Sequence, residues 1–165
     1  QRLEALARYD ILDTSEEESF DRITRMVRRT LKVGMSTVTF LDGHRQWFKS
    51  RQGVEICEGD RKDALCDVTI REAMPLIVPD TTQDPRFADN PLVTGAPHLR
   101  FYAGIPLRTR DGHNIGTLCA MDTQPRILTS DEIETLDDLA RVGGIGGAKL
   151  ARYGERVLEA MGAAG

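Results

Sequence analysis

The chain has 165 residues, 40% hydrophobic and 29% charged, with a formal net charge of -4. This length makes one domain that buries roughly two-thirds of its unfolded surface, and the composition excludes a disordered or fibrous chain. The acidic balance argues against a nucleic-acid surface, and no apolar run approaches the roughly 20 residues of a membrane span. The start carries no charged-then-apolar secretory pattern, and Gln1 in place of Met fits a fragment or a trimmed product. Cys57, Cys66 and Cys119 are an odd set without a C-x-x-C pair. They argue against a disulfide framework or structural zinc, and for a reducing cytoplasm.

From the N-terminus, Leu3, Leu6 and Ala7 share one face of a short amphipathic helix over residues 1–9. Thr14, with Glu17 three residues on, has the form of a capping box. Phe20, Ile23, Val27 and Leu31 then lie on one helical stripe that Gly34 ends. Arg22, Arg25, Arg28, Arg29 and Lys32 cluster on this helix, behind Glu16, Glu17, Glu18 and Asp21. Acid in the first turn and base in the last suit the helix dipole and a solvated face. Residues 36–41 (STVTFL) read as a strand, Asp42-Gly43 as a turn, and residues 45–50 (RQWFKS) as the hairpin partner. Residues 51–63 are polar and irregular, 64–73 read as a short helix, and Leu76 to Val78 as a third strand.

Residues 81–99 are a polar, turn-rich excursion, followed by strands at 100–108 and 114–121 joined at Asp111-Gly112. Long loops inside compact domains are uncommon and are often lids or binding loops. This one is expected to cover a ligand pocket. Thr129 and Glu132 cap a last helix whose apolar face holds Ile133, Leu136, Leu139 and Ala140. The glycine run at 143–147 interrupts it, each interior glycine costing about 1 kcal/mol relative to alanine. The pattern resumes through Leu150, Tyr153, Val157 and Leu158. The run is no phosphate loop: Ala148 and Leu150 flank Lys149 where Gly and Ser or Thr are required. The order of elements predicts an α+β domain. A central antiparallel sheet of about five to six strands would carry the N- and C-terminal helices on one face. Apolar outer faces on those helices would pack against a second copy.

Several motifs stand in a recognisable order: Arg2-Leu-Glu-Ala-Leu6, Tyr9-Asp-Ile-Leu-Asp-Thr14, Phe20-Asp21, Arg45-Gln-Trp-Phe-Lys-Ser50 and Cys66. They continue with Val78-Pro79-Asp80, Asp84-Pro-Arg-Phe87, Asn90-Pro-Leu-Val93, Arg100-Phe-Tyr-Ala-Gly104, Pro106-Leu107, Gly116-Thr-Leu-Cys119 and Asp122. In this order, from residue 2 to about 142, the chain resembles the GAF domain family. The resemblance is strongest to the GAF domains of bacterial sensor histidine kinases and diguanylate cyclases. It implies a GAF/PAS-like fold with its core at about 15–142. Residues 1–14 would be an N-terminal helix and linker, and residues 143–165 a signalling helix. It also implies a non-catalytic, cytoplasmic sensory domain of bacterial two-component signalling. Such a domain binds a small molecule, a cyclic nucleotide being one class, and dimerises through its terminal helices. It reports to a fused histidine kinase or diguanylate cyclase, without nucleic acid or membrane as partner. Neither the ligand nor any cofactor is named by the resemblance, and no metal site is expected. Relatives commonly have an aromatic residue before the Cys66 position and a His shortly after it; here stand Leu65, Asp67 and Val68. Two other readings remain open: a thiol-dependent reductase of the free methionine sulfoxide reductase type, and a structural dimerisation module with a closed pocket.

Trp47 and Phe48 are adjacent on a strand and so face opposite sides of the sheet, one toward the core or pocket wall. Asp80, Asp84 and Arg86 could offer carboxylates and a guanidinium to a polar ligand, although Asp84-Pro85 also starts turns and Arg86 can pair with a neighbouring acid. Phe101 and Tyr102 suit a planar ligand or a core edge. Cys66 lies beside the expected pocket, and Cys119 lies on an apolar strand where a thiol packs as a small hydrophobe. His98 has no partner spacing for a metal, and His44 and His113 fall in hairpin turns.

Overall fold

Strands rich in β-branched and aromatic residues build a six-stranded sheet, paired antiparallel throughout. The computed structural model describes residues 1–143 apart from Ala73. The helices are α1 (Arg2–Tyr9), α2 (Glu18–Leu31), α3 (Leu65–Arg71), α4 (Pro91–Thr94) and α5 (Ser130–Gly143). The strands are β1 (Met35–Leu41), β2 (Arg45–Gln52), β3 (Glu58–Asp60), β4 (Leu76–Val78), β5 (Phe101–Arg108) and β6 (Asn114–Asp122). They lie in the order β3-β2-β1-β6-β5-β4. The chain is α+β, as the order of elements predicts.

Every residue of β1 is buried, so the central strands are covered on both faces. Side chains alternate between those faces. Val38, Phe40, Phe101 and Leu118 join α1, α2 and α5 in one apolar core. Met35, Leu41, Tyr102 and Cys119 join α3 and the 81–99 excursion in a second. The terminal helices thus share one face, as expected, while α3 and α4 lie across the sheet from them. The glycine run beyond residue 143, and the helical pattern resumed after it, lie outside the described residues.

Local departures from the sequence reading have local causes. Residues 58–60, read as irregular, pair with β2 as an edge strand through Arg45↔Asp60 and Trp47↔Glu58. Lys32, not Gly34, adopts the left-handed turn that ends α2, at φ 56°. The link between β5 and β6 is longer than a two-residue turn: Thr109 Oγ1 donates to Asp111 and accepts from the His113 amide. At α5 the expected cap is present. The Glu132 amide donates to Thr129 Oγ1 at 3.1 Å, and the Thr129 amide donates to Glu132 Oε1 at 3.0 Å.

At α2 the expected box does not form, because Thr14 is used elsewhere. Its hydroxyl donates to the Ile11 carbonyl at 2.6 Å and accepts from Lys49 Nζ at 2.7 Å. A β-bulge explains how Lys49 reaches it. Val38 pairs with Ser50 and Thr39 with Phe48, leaving Lys49 as the extra residue of β2. Lys49 and Ser50 consequently both turn to the helices. Ser50 Oγ donates to Asp21 Oδ1 at 2.6 Å, and Lys49 Nζ meets the Ser15 carbonyl at 2.6 Å and Glu17 at 2.5 Å. The Lys49 side chain is fully buried, with its charge 5.5 Å from the Phe20 ring. Lys49→Met keeps the methylenes and removes these bonds. It is expected to lower unfolding stability by about 1.5–3 kcal/mol, the range for hydrogen bonds to a charged group. Urea denaturation measures the loss, and amide exchange should rise first at residues 10–17.

Candidate functional site

A cavity of about 450 Å³ opens on the α3 side of the sheet, toward its β2 edge. Its walls come from four places: Met35 and Met121 on the sheet, Phe48 on β2, the 53–56 loop, and Leu92, Pro97 and Leu99 of the excursion. Most of that surface is apolar. The polar or charged side chains on the wall are Thr37, Gln46, Glu55 and Cys66. A second cavity of about 500 Å³ lies along β2 next to the 14–16 linker. Its charged residues are Glu16, Asp21, Lys49 and Arg51; Lys49 is paired with Glu17, Asp21 accepts from Ser50, and Arg51 is spent on the carbonyls of residues 54–56.

The excursion is a built wall. Thr81 Oγ1 donates to the Leu99 carbonyl at 2.6 Å, and the Leu99 amide donates to the Leu92 carbonyl at 2.9 Å. Asn90 Nδ2 donates to the Asp63 carbonyl at 3.0 Å, tying the excursion to the approach to α3. Phe87, Val93 and Leu99 sink into the second core. On the opposite wall, Arg51 donates to the carbonyls of Val54, Glu55 and Ile56 and so shapes the 53–56 loop. Neither Arg51 nor that loop stood out in the sequence, because the contact is between a side chain and a backbone that carries no pattern.

Behind the cavity lies a buried cluster of hydroxyls and thiols. Cys66 Sγ and Cys119 Sγ are 3.3 Å apart. Thr117 Oγ1 is 2.9 Å from Cys119 Sγ, and the Tyr102 hydroxyl is 3.5 Å from each sulfur and 2.8 Å from Thr69 Oγ1. Gly104 makes room for that hydroxyl: a Cβ there would lie 2.2 Å from the Tyr102 oxygen. The hydrogen bond from Cys119, with another from the Tyr102 hydroxyl, holds the Cys66 thiol below its ordinary value in spite of burial. Burial, reinforced by the neighbouring Cys66, pushes the Cys119 thiol well up, and burial likewise raises Tyr102.

The residues singled out in the sequence fall into three groups. Phe48, Cys66, Cys119 and Tyr102 gather at or behind the cavity. Trp47 and Phe101 lie in the helix-side core. Asp80, Asp84 and Arg86 sit on the outer side of the excursion, away from the cavity lining. Asp80 accepts from the Thr82 amide and hydroxyl, and Arg86 pairs with Asp84 at 2.8 Å and stacks 5.2 Å from the Phe87 ring. These contacts depress both carboxylates: the Thr82 hydroxyl bond chiefly for Asp80, and the Arg86 bond chiefly for Asp84. His98 is exposed, with φ 58°.

A sheet carrying such a cavity between its edge and a long β4–β5 connection can be compared directly with known families. The family model described as GAF domain matches residues 15–145. The chain belongs to the GAF domain family. It is 37% identical over 133 residues to a cyclic di-GMP phosphodiesterase of Pseudomonas aeruginosa, a match covering 80% of this chain and 23% of that protein. The chain therefore spans less than a quarter of that relative. Among solved structures, it resembles the GAF domain of an Acinetobacter phosphoenolpyruvate-protein phosphotransferase, with TM-score 0.64 and 17% identity over 96% of this chain and 93% of that one. It also resembles the type II free methionine-R-sulfoxide reductase of Thermoplasma acidophilum, with TM-score 0.64 and 13% identity over 93% and 96%. At those identities the likeness is one of fold.

The cluster behind the GAF pocket makes two demands that can be measured. Gly104→Ala puts a methyl where the Tyr102 hydroxyl lies and is expected to cost about 1–3 kcal/mol, as overpacking does. Tyr102→Phe leaves Thr69 Oγ1 without this partner in a buried site, at about 1–3 kcal/mol. Urea unfolding of each should show the loss. The double variant should lose somewhat less than the sum, since removing the hydroxyl relieves the nearest of three contacts, while the methyl still meets ring carbon Cζ at 2.7 Å and Thr69 Oγ1 at 2.9 Å.

Proposed function

We propose that this GAF domain is a sensory module that binds a neutral or cationic, largely apolar small molecule in the β2-edge cavity. The state of that site would pass to an output domain outside the chain. The cavity itself carries the reading. Its volume of about 450 Å³ falls within the roughly 300–1,000 Å³ of ligand sites, and its walls join apolar surface with a few convergent polar groups. Glu55 is the charged side chain among the lining residues. A cyclic nucleotide would bring its phosphate against no cation there, which favours a ligand without negative charge. Phe48 contributes an aromatic ring to the cavity wall, and Met35 and Met121 contribute adaptable thioethers.

A population shift would transmit the signal. A ligand stabilises whichever arrangement of excursion and sheet it binds better, and the strands under it also carry α2 and α5. A phosphodiesterase output is supported by the relative whose length this chain only partly covers; a histidine kinase or diguanylate cyclase output rests on the sequence motifs. A homodimer through the terminal helices and a cytoplasmic setting belong to the same reading. Among the described residues no helix is long and apolar enough to cross a membrane. One observation favours a second reading, a thiol-dependent reductase: the close approach of Cys66 to Cys119. Loss of methionine sulfoxide reduction in Cys66→Ser would support it.

Thermal unfolding with a panel of neutral, cationic and phosphorylated metabolites tests the first reading. A true ligand at about 100 times its Kd adds about 2.7 kcal/mol, or about 5–10 °C at this size. It should also slow amide exchange across residues 81–99. Leu92→Trp, which sets a bulky ring in the cavity wall, should reduce the shift while leaving the fold intact. Failure of every compound, or binding unaffected by Leu92→Trp, would remove the reading.

A further inference from the structure

The two thiols behind the pocket differ in access. Cys66, on the first turn of α3, borders the cavity; Cys119, at the middle of β6, is fully buried and does not line it. Their sulfurs are 3.3 Å apart across 53 residues of sequence. Closing that gap to the roughly 2.05 Å of a disulfide is a movement of about 1.3 Å. The gap spans a helix and a strand, so side-chain rotation and a small shift of α3 can share the movement. Thr117 and Tyr102 place hydroxyls against the sulfurs, and donors of this kind stabilise a thiolate, the reactive form of cysteine.

We propose that Cys66 and Cys119 are a reversible oxidation site, in which a hydroperoxide entering through the pocket converts the dithiol to a disulfide that ties α3 to β6. Cys66 is the attacking thiol and Cys119 the resolving one. The Cys66 thiolate attacks one peroxide oxygen, the O–O bond breaks, and Cys66 becomes a sulfenic acid while hydroxide leaves. Cys119 Sγ then attacks Cys66 Sγ, the S–O bond breaks, and the departing hydroxide takes the Cys119 proton as water. The proton first released by Cys66 neutralises the other hydroxide. In sum, two thiols lose two electrons, and one hydrogen peroxide becomes two waters. A dithiol reductant reverses the bond. Oxidation of the pair goes beyond the sensory reading and does not depend on it, since the pocket has only to admit a molecule of peroxide size.

The position of Cys119 gives the pair its chemical consequence. A lone oxidised thiol proceeds to sulfinic acid in excess peroxide, whereas a resolving thiol in contact arrests the ladder at a recoverable step. Cys57 is exposed and could obscure the chemistry by forming bonds between molecules, so the test uses the full chain carrying Cys57→Ser. The folded protein is treated with hydrogen peroxide, alkylated after denaturation, and mapped by mass spectrometry. The expected product has lost two hydrogens, yields a cross-linked Cys66–Cys119 peptide, and returns to two alkylatable thiols with dithiothreitol. Adding Cys119→Ser should leave Cys66 as a sulfenic acid that dimedone traps. Adding Cys66→Ser should leave Cys119 unmodified over the same exposure. Recovery of both thiols free after peroxide treatment overturns the proposal, as does oxidation of Cys66 to sulfinic acid without a cross-link. The parent map decides the matter even if either added substitution prevents folding.

Discussion

A sheet covered on both faces leaves its polar side chains with no water to turn to, and much of this structure follows from that constraint. The strand β1 is buried at every position, yet it carries Ser36, Thr37 and Thr39. An unsatisfied polar group in such a place costs several times what a made hydrogen bond contributes. The solution is mutual: Thr37 bonds Thr39 at 2.8 Å, Ser36 donates to the Cys119 carbonyl, Thr69 meets Tyr102, and Thr117 meets Cys119. Among the described residues no buried side-chain nitrogen or oxygen lacks a partner. The hydroxyl and thiol cluster is thus a structural necessity that also places two sulfurs together behind a cavity.

The same sheet separates the two layers that sensing would have to connect. The cavity, α3 and the excursion lie on one face, and α1, α2 and α5 on the other. Between them the route is short, because the buried strands present alternate residues to each side. Tyr102 sits in the pocket-side core, and its neighbours Phe101 and Ala103 sit in the helix-side core. Displacement of a strand by a ligand or by a disulfide would therefore reposition the contacts of the terminal helices. The bulge at Lys49 adds a second link, since it joins β2 to the segment between α1 and α2.

Strong, short-range signals were legible in the sequence. The α2 stripe of Phe20, Ile23, Val27 and Leu31 is buried where periodicity places it, and the Thr129–Glu132 box is made. The excursion at 81–99 was recognisable from turn residues and length alone, and it does contribute a cavity wall. Side-chain destinations were less readable. Phe48 and Trp47 must oppose each other on any strand, but which of them meets the pocket depends on register. Asp80, Asp84 and Arg86 looked available for a ligand; the structure shows each engaged in contacts within its own loop. The Thr14 cap failed for a similar reason: its competitor, Lys49, is distant in sequence and becomes a neighbour only through a bulge.

The sequence by itself determined most of the elements, their order and the resemblance to the GAF family, because these follow from periodicity, turn chemistry and motifs carried by neighbouring residues; the short β3 and α4 carry too little pattern to be read. Tertiary structure alone decided the contacts that matter most for chemistry. The approach of Cys66 to Cys119, the space that Gly104 leaves for the Tyr102 hydroxyl, and the Arg51 hold on the 53–56 loop each join groups that chain order does not predict. The physical reason is that local pattern reports which face of an element is apolar. The pairing of particular atoms across that face depends on strand register and packing, which exist only once the chain has folded.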